Sequence, residues 1–263
     1  ASAKDDTGRV GVVIDNGCLF RGGMEKAIRT ELPEHLKDEL SPRVIINMKN
    51  EIRAGLKEGI REREVAARIS SSLLSSGIYP VVILVAADER IEKFRHPLPT
   101  DNPFKKTLMG VVCGRREGLI VSITRLVSLG KPSPELERKH NAVCYVDTVF
   151  ISSTVTGKSI GEIFREGVKA YTEQGYPEEW RKHHQGGPTG YKTREFKATE
   201  KEDRKVEFRQ PFAWNPSITG TKSEDTIIAY EESPLIITST PTWPKVRVEY
   251  GGRVWERPDI LIL

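Results

Sequence analysis

Between Tyr79 and Gly130 three apolar runs follow one another, and they constrain the fold more than any other feature of the chain. "YPVVILVA" is continuous and long enough for a buried strand. "TLMGVVC" and "EGLIVSITRLVSLG" flank the charged turn "GRRE", which is the pattern of a β-hairpin. Before this block, "REREVAARISSSLLSSG" repeats Val65, Ile69 and Leu73 at every fourth position and predicts a helix stopped at Gly77. Further upstream, residues 9–14 read as a short strand, and residues 22–58 as helix interrupted at Pro33 and Pro42. After the block, residues 133–150 and "SIGEIFREGVKAYTEQG" predict two helices. From residue 205 the pieces "KVEFRQPFAWNP", "DTIIAYE", "PLIITST" and "VRVEYGGRVWE" predict strands, with proline and glycine between them. Helices and strands thus come in blocks, which predicts an α+β fold on an antiparallel sheet rather than a doubly wound parallel one.

At 263 residues the chain can bury a full core without staples. Its 41 basic and 37 acidic residues are interspersed, so no Lys/Arg stripe marks a nucleic-acid surface. Cys18, Cys113 and Cys144 are odd in number and lack CxxC spacing, which argues against a zinc ribbon or a redox pair. Cys113 and Cys144 sit in apolar runs and are expected to be buried, inert thiols, in keeping with a reduced, cytoplasmic setting. No signal peptide or membrane-spanning stretch is visible, and no membrane partner is expected. The chain begins at Ala1 without a methionine, so a processed or cut fragment is expected.

Several segments in order resemble the creatinase and Xaa-Pro aminopeptidase family, peptidase M24-like. They are "EGIREREVAARI", "FRHPLPT", "EGLIVSITRLVSLG", "HHQGGPTGY" and "WNPSITGTKSEDTIIAYEESPLIIT". The resemblance runs from about residue 43 to residue 240. It implies the pita-bread fold, a curved antiparallel sheet covered by helices, over residues 43–263. Residues 1–42 would then be a remnant of, or linker from, an N-terminal creatinase-type domain. The family's peptidases hold two divalent metals with two Asp, one His and two Glu. The matching positions here are Val111, Ser122, Gly187, Asn215 and Glu224, of which only Glu224 is an acid. One carboxylate, one hydroxyl and one amide cannot neutralise two dications, so no metal and no cofactor are expected.

Creatinase itself works without metal, with a histidine as proton carrier, and the resemblance places His96 at that position. Imidazole suits the work because its pKa lies near neutrality. The resemblance also makes Glu224 a group that assists or orients His96, and His183 and Arg194 binders of the anionic part of a substrate. Tyr191 and Trp214 are expected to wall the pocket. His184 is expected to face away from His183, because neighbours on an extended segment alternate. Arg125 is expected to pair with Glu224 across the sheet. Ser122 and Cys113 lack a nucleophile elbow or a Cys–His signature. The glycines of the 186–190 loop lack a P-loop's lysine and helix. Two functions follow. One is a metal-independent, homodimeric enzyme acting on a small C–N substrate such as an amidine, amide or amino acid derivative. The other is an inactive pita-bread domain that binds proteins or peptides.

Overall fold

The structure, a computed structural model, describes residues 55–240 and 242–263, together with residues 3, 4, 10, 11, 43, 44, 48, 50 and 51. Near the start, β1 (Ala3–Lys4) pairs antiparallel with β2 (Val10–Gly11). The rest of the strand expected over 9–14, and Pro33, Pro42 and Cys18, lie outside the described residues. Residues 43, 44, 48, 50, 51 and 55 are helical, within the stretch expected to be helix.

The first four-stranded sheet has the order β14-β5-β4-β3. It joins β3 (Tyr79–Ala87), β4 (Thr107–Arg116), β5 (Leu119–Ser128) and β14 (Leu261–Ile262). β4 and β5 form the expected hairpin, in register from Thr107–Ser128 to Arg116–Leu119. Its turn needs two consecutive residues with positive φ, Glu117 at 51° and Gly118 at 87°. β14 adds parallel to β5 and was not foreseen in the sequence. Helix α1 (Glu62–Ser75) lays Val65, Ile69 and Leu73 onto this sheet, each worth about 1.5–3 kcal/mol when fully buried. Its first turn is closed by the Arg61 N–H donating to Glu64 at 2.9 Å.

The second four-stranded sheet has the order β11-β10-β7-β6. Its strands are β6 (Gly186–Pro188), β7 (Pro211–Trp214), β10 (Asp225–Ile228) and β11 (Leu235–Ile236). Helices α3 (Pro134–Ser153) and α4 (Ile160–Glu173) cover it, with Phe150, Phe164, Phe212, Trp214 and Ile227 in one core. Ser133 caps α3 by accepting from the Leu136 N–H, and Pro134 opens the helix. A short helix α2 (Glu89–Lys93) follows β3. Two further hairpins complete the chain: β8 (Ser217–Ile218) with β9 (Thr221–Lys222), and β12 (Lys245–Tyr250) with β13 (Arg253–Pro258).

The two sheets meet where β5 approaches the start of β10. The Thr124 N–H donates to the Glu224 carbonyl at 3.2 Å. One step further on, the Ser122 N–H donates to Thr226 Oγ1, whose hydroxyl donates back to the Ser122 carbonyl. Among the described residues no helix is long and apolar enough to cross a membrane.

Candidate functional site

Side chains alternate along a strand, so β4 sends Leu108 and Val112 into the α1 core and Val111 and Cys113 the other way. On that other face lies a cavity of about 390 Å³. Val82, Leu84, Val111 and Cys113 form its apolar side. Its polar side is His96, His184, Arg194, Lys197, Asn215, Lys222 and Glu224. Three cations face one carboxylate there, a balance of +3 − 1 = +2 with the imidazoles neutral.

Glu224 is buried and fully engaged. Its Oε1 accepts from Arg194 at 2.9 Å, and its Oε2 accepts from Thr124 Oγ1 at 2.6 Å and lies 3.2 Å from Lys222 Nζ. Burial alone would raise its pKa, but Lys222, Arg194 and Thr124 hold it down to about 2. Glu224 therefore stays ionised near neutrality and has no proton to donate. Lys222 and Glu224 are two residues apart in an extended stretch, so they point to the same side. Arg194 also reaches Ser122 Oγ at 3.4 Å. Its neighbour Glu195 accepts instead from the N–H groups of Tyr191 and Lys192.

His96 is carried on the loop after α2 and is exposed at the cavity edge. Arg95 anchors that loop: its Nη2 donates to Glu179 Oε2 at 2.6 Å and to Thr219 Oγ1 at 2.7 Å. Buried Glu62 holds the far side of the same loop by accepting from the Thr100 N–H and hydroxyl. Glu179 opens the 3-10 turn Glu179–Lys182, which delivers His183. His96 and His183 thus meet, Nε2 to Nε2 at 3.1 Å. His184 does not face away. Its ring stacks on His183 with centroids 4.4 Å apart and on His96 at 5.5 Å. The alternation rule fails because the chain bends at His183, and β6 begins only at Gly186. Gln185 fixes the bend by donating to the Trp180 and His183 carbonyls. Burial lowers the pKa of all three imidazoles, and the nearby cations lower them further. His184 falls to about 3.

Several expected positions differ. Trp214 is no pocket wall: it is fully buried in the α3–α4 core, stacked on Phe150 at 4.7 Å, and donates to Thr154 Oγ1. Asn215, the next residue after β7, points to the opposite side and lines the cavity. The Tyr191 ring packs against Gly118 at the β4–β5 turn, next to the first core and outside the cavity. Arg125 donates to the carboxylate of Asp225 at 2.8 Å and meets only the backbone carbonyl of Glu224. Cys113 accepts from Ser122 Oγ at 3.3 Å, and burial pushes its thiol up to about 11, so it is no thiolate nucleophile. Burial likewise pushes the Cys144 thiol up. Lys222, Lys197 and His184 were missed as site residues. The Lys222–Glu224 spacing was the one signal that pointed to any of them.

The residues do not fit the family's two-metal centre. Val111 offers no donor atom, and both Glu224 oxygens are taken by side-chain partners. At Gly187 a Cβ would stand 2.5 Å from the Phe196 carbonyl oxygen, with φ at 147°, so no histidine fits there.

The metallopeptidase family M24 model matches residues 41–241. The chain belongs to metallopeptidase family M24. Its sheets and helices are those of the pita-bread fold, as solved M24 structures show. X-Pro aminopeptidase from Thermotoga maritima MSB8 superposes with a TM-score of 0.72 at 17% identity, covering 92% of this chain and 67% of that one. Dipeptidase PepE from Mycobacterium ulcerans gives 0.73 at 16%, covering 90% and 60%. The N-terminal domain of FACT complex subunit SPT16 from chickpea (Cicer arietinum) gives 0.64 at 12%, covering 83% and 58%. The M24 chain thus spans about three fifths to two thirds of the length of these proteins. A second model, N-6 DNA methylase, matches residues 2–41 only, a stretch that holds none of the cavity residues. No curated protein matches the chain.

Proposed function

We propose that this M24 chain is a metal-independent, hydrolase-type enzyme that acts at the C–N bond of a small anionic amidine, amide or amino acid derivative. One observation carries the reading. Where a two-metal centre requires carboxylates, the cavity holds Lys222 and Arg194 locked onto the single remaining acid, Glu224. Two side-chain cations replace two metal cations as its counter-charge.

The net positive lining favours an anionic substrate, and Arg194 and Lys197 are its binding groups. His96, neutral and open to the cavity, takes a proton from water as its oxygen adds to the carbon of the C–N bond. It then returns the proton to the leaving nitrogen. His183 is a positioning residue that holds the His96 ring through the 3.1 Å contact. Glu224 is a positioning residue too, fixing Arg194 and Lys222 rather than moving a proton. We place the enzyme in the cytoplasm as a homodimer without nucleic-acid or membrane partners, and sedimentation measures the dimer.

The test is turnover across a panel of anionic amidines, amides and N-substituted amino acids by metal-stripped protein. His96→Ala should lower kcat/KM by about 10²–10⁴-fold, with an unchanged melting temperature because the side chain is exposed. Undiminished activity in that variant would remove the mechanism.

A second reading is a binding module for proteins or peptides. The observation favouring it is that Phe94 and Leu98, 46% and 72% exposed, flank His96 on the same loop. The fold also occurs in the named subunit of the FACT complex. Absence of turnover on the whole panel, with a peptide or protein retained on the wild-type chain, would select this reading.

A further inference from the structure

Three histidines beside the cavity are more than one proton carrier needs. His96, His183 and His184 each offer a ring nitrogen within 4.8 Å of the other two. We propose that these three imidazoles bind one late transition-metal ion, Zn²⁺, Ni²⁺ or Cu²⁺, at a place separate from the family's two-metal ligand positions.

The distances suit it. Ligand nitrogens about 2.0–2.1 Å from a tetrahedral ion stand about 3.3 Å from one another. The His96 and His183 Nε2 atoms are already 3.1 Å apart. Ring centroids of 4.4, 4.5 and 5.5 Å bring all three rings around one point. His184 is half-buried and His96 exposed, so modest rotations of these two close the set around the fixed His183.

Hydrogen bonding points the same way. His183 is only 8% exposed, and its Nδ1 has no partner; neither has the buried Nδ1 of His184. Buried polar atoms without partners call for an ion, a water or a ligand: the Nδ1 of His184 is open to the ion, while His183 gives the ion its Nε2 and leaves its Nδ1 to a water. By contrast His140, the other described histidine, has Thr221 Oγ1 and the Pro258 carbonyl at its two ring nitrogens, 2.8 and 3.0 Å away.

The frame is rigid. The Arg95–Glu179 pair at 2.6 Å ties the His96 loop to the turn that presents His183 and His184. Preorganised ligands lose little freedom when an ion arrives. Of the cations that oppose an added dication, Lys222 and Arg194 are paired with Glu224, Arg95 is paired with Glu179, and Lys197 is exposed to solvent screening. The ligand set decides the metal. Three imidazoles without a carboxylate favour the late first-row ions and disfavour Mg²⁺ and Mn²⁺. The exposed edge of His96 leaves a fourth position open to water.

Bound there, the ion occupies the nitrogens that would otherwise take a proton, so it inhibits metal-independent turnover. Only this consequence rests on the proposed function; the binding itself does not. The metal-stripped chain is titrated with Zn²⁺ by calorimetry and with Co²⁺ by visible absorption. One ion per chain is expected, with four-coordinate Co²⁺ bands. His184→Ala and His96→Ala should each weaken Zn²⁺ binding about 100-fold or more, because losing even an outer-shell partner costs about 10–100-fold. His140→Gln, at the described histidine outside the group, should leave it unchanged. No binding, binding unaltered in the His184→Ala and His96→Ala variants, or Mg²⁺ binding as tightly as Zn²⁺ overturns the site. Tight Zn²⁺ binding that leaves turnover intact keeps the site and overturns the proton role of His96.

Discussion

Glu224 is held by three side chains, and the energetics of the cavity turn on it. Removing its charge leaves Lys222, 4% exposed, and Arg194, 9% exposed, buried without a counter-ion. Glu224→Gln should therefore destabilise the fold by about 3–5 kcal/mol, read from urea midpoints at pH 7. The pH dependence has a definite sign. The folded carboxyl sits at about 2 against an ordinary 4.5, so its contribution is present above pH 4.5 and is lost as pH falls toward 2. Wild-type stability should fall more steeply than that of Glu224→Gln between pH 5 and pH 3. Equal slopes would show that the carboxyl is not held ionised. The sequence exposed the lone acid among vacated ligand positions. It did not expose the pairing of that acid with Arg194, which lies 30 residues from Glu224 in the chain.

At the scale of elements, α3 and α4 pack closely because of one glycine. A Cβ at Gly167 would lie 2.1 Å from Phe150 Cζ. Phe150 cannot yield, since it is fully buried and stacked between Trp214 and α4. In an open helix Gly→Ala gains about 0.5–1 kcal/mol. Here Gly167→Ala should cost about 1–3 kcal/mol through overpacking, visible as a lower thermal midpoint. A higher midpoint would mean that the two helices slide apart freely. These helices were legible in the sequence, at 133–150 and 159–175, because a period of 3.6 is a local property. The late strands were legible only in part: of "KVEFRQPFAWNP", only Pro211–Trp214 is strand. β14 was not legible at all, since its two residues gain strand character only from the edge of β5.

Over the whole molecule, a buried network joins elements far apart in the chain. Arg257 on β13 reaches Asp147 on α3 and Asp225 on β10, and Asp225 also accepts from Arg125 on β5. Two arginines and two aspartates, all buried, balance one another at the junction of both sheets and the terminal hairpin. Arg257→Ala strands the carboxylate of Asp147 and leaves Asp225 to Arg125 alone, and should cost about 3–5 kcal/mol. At about 2–4 °C per kcal/mol for a chain of this size, that is a drop in melting temperature on the order of 10 °C. A shift under a degree would mean that water replaces the guanidinium without penalty.

The sequence by itself determined the main helices, the β4–β5 hairpin, the α+β class and the M24 relationship. Each of these follows from residue type and short-range spacing, which survive in one dimension. Only the tertiary structure decided that Lys222 and Arg194 neutralise Glu224, that Arg125 serves Asp225, that Trp214 and Tyr191 stand outside the cavity, and that His184 joins His96 and His183. Those outcomes depend on where two sheets meet and on one backbone bend, and a charge pair such as Arg125–Asp225, 100 residues apart in the chain, leaves no periodic trace in the sequence.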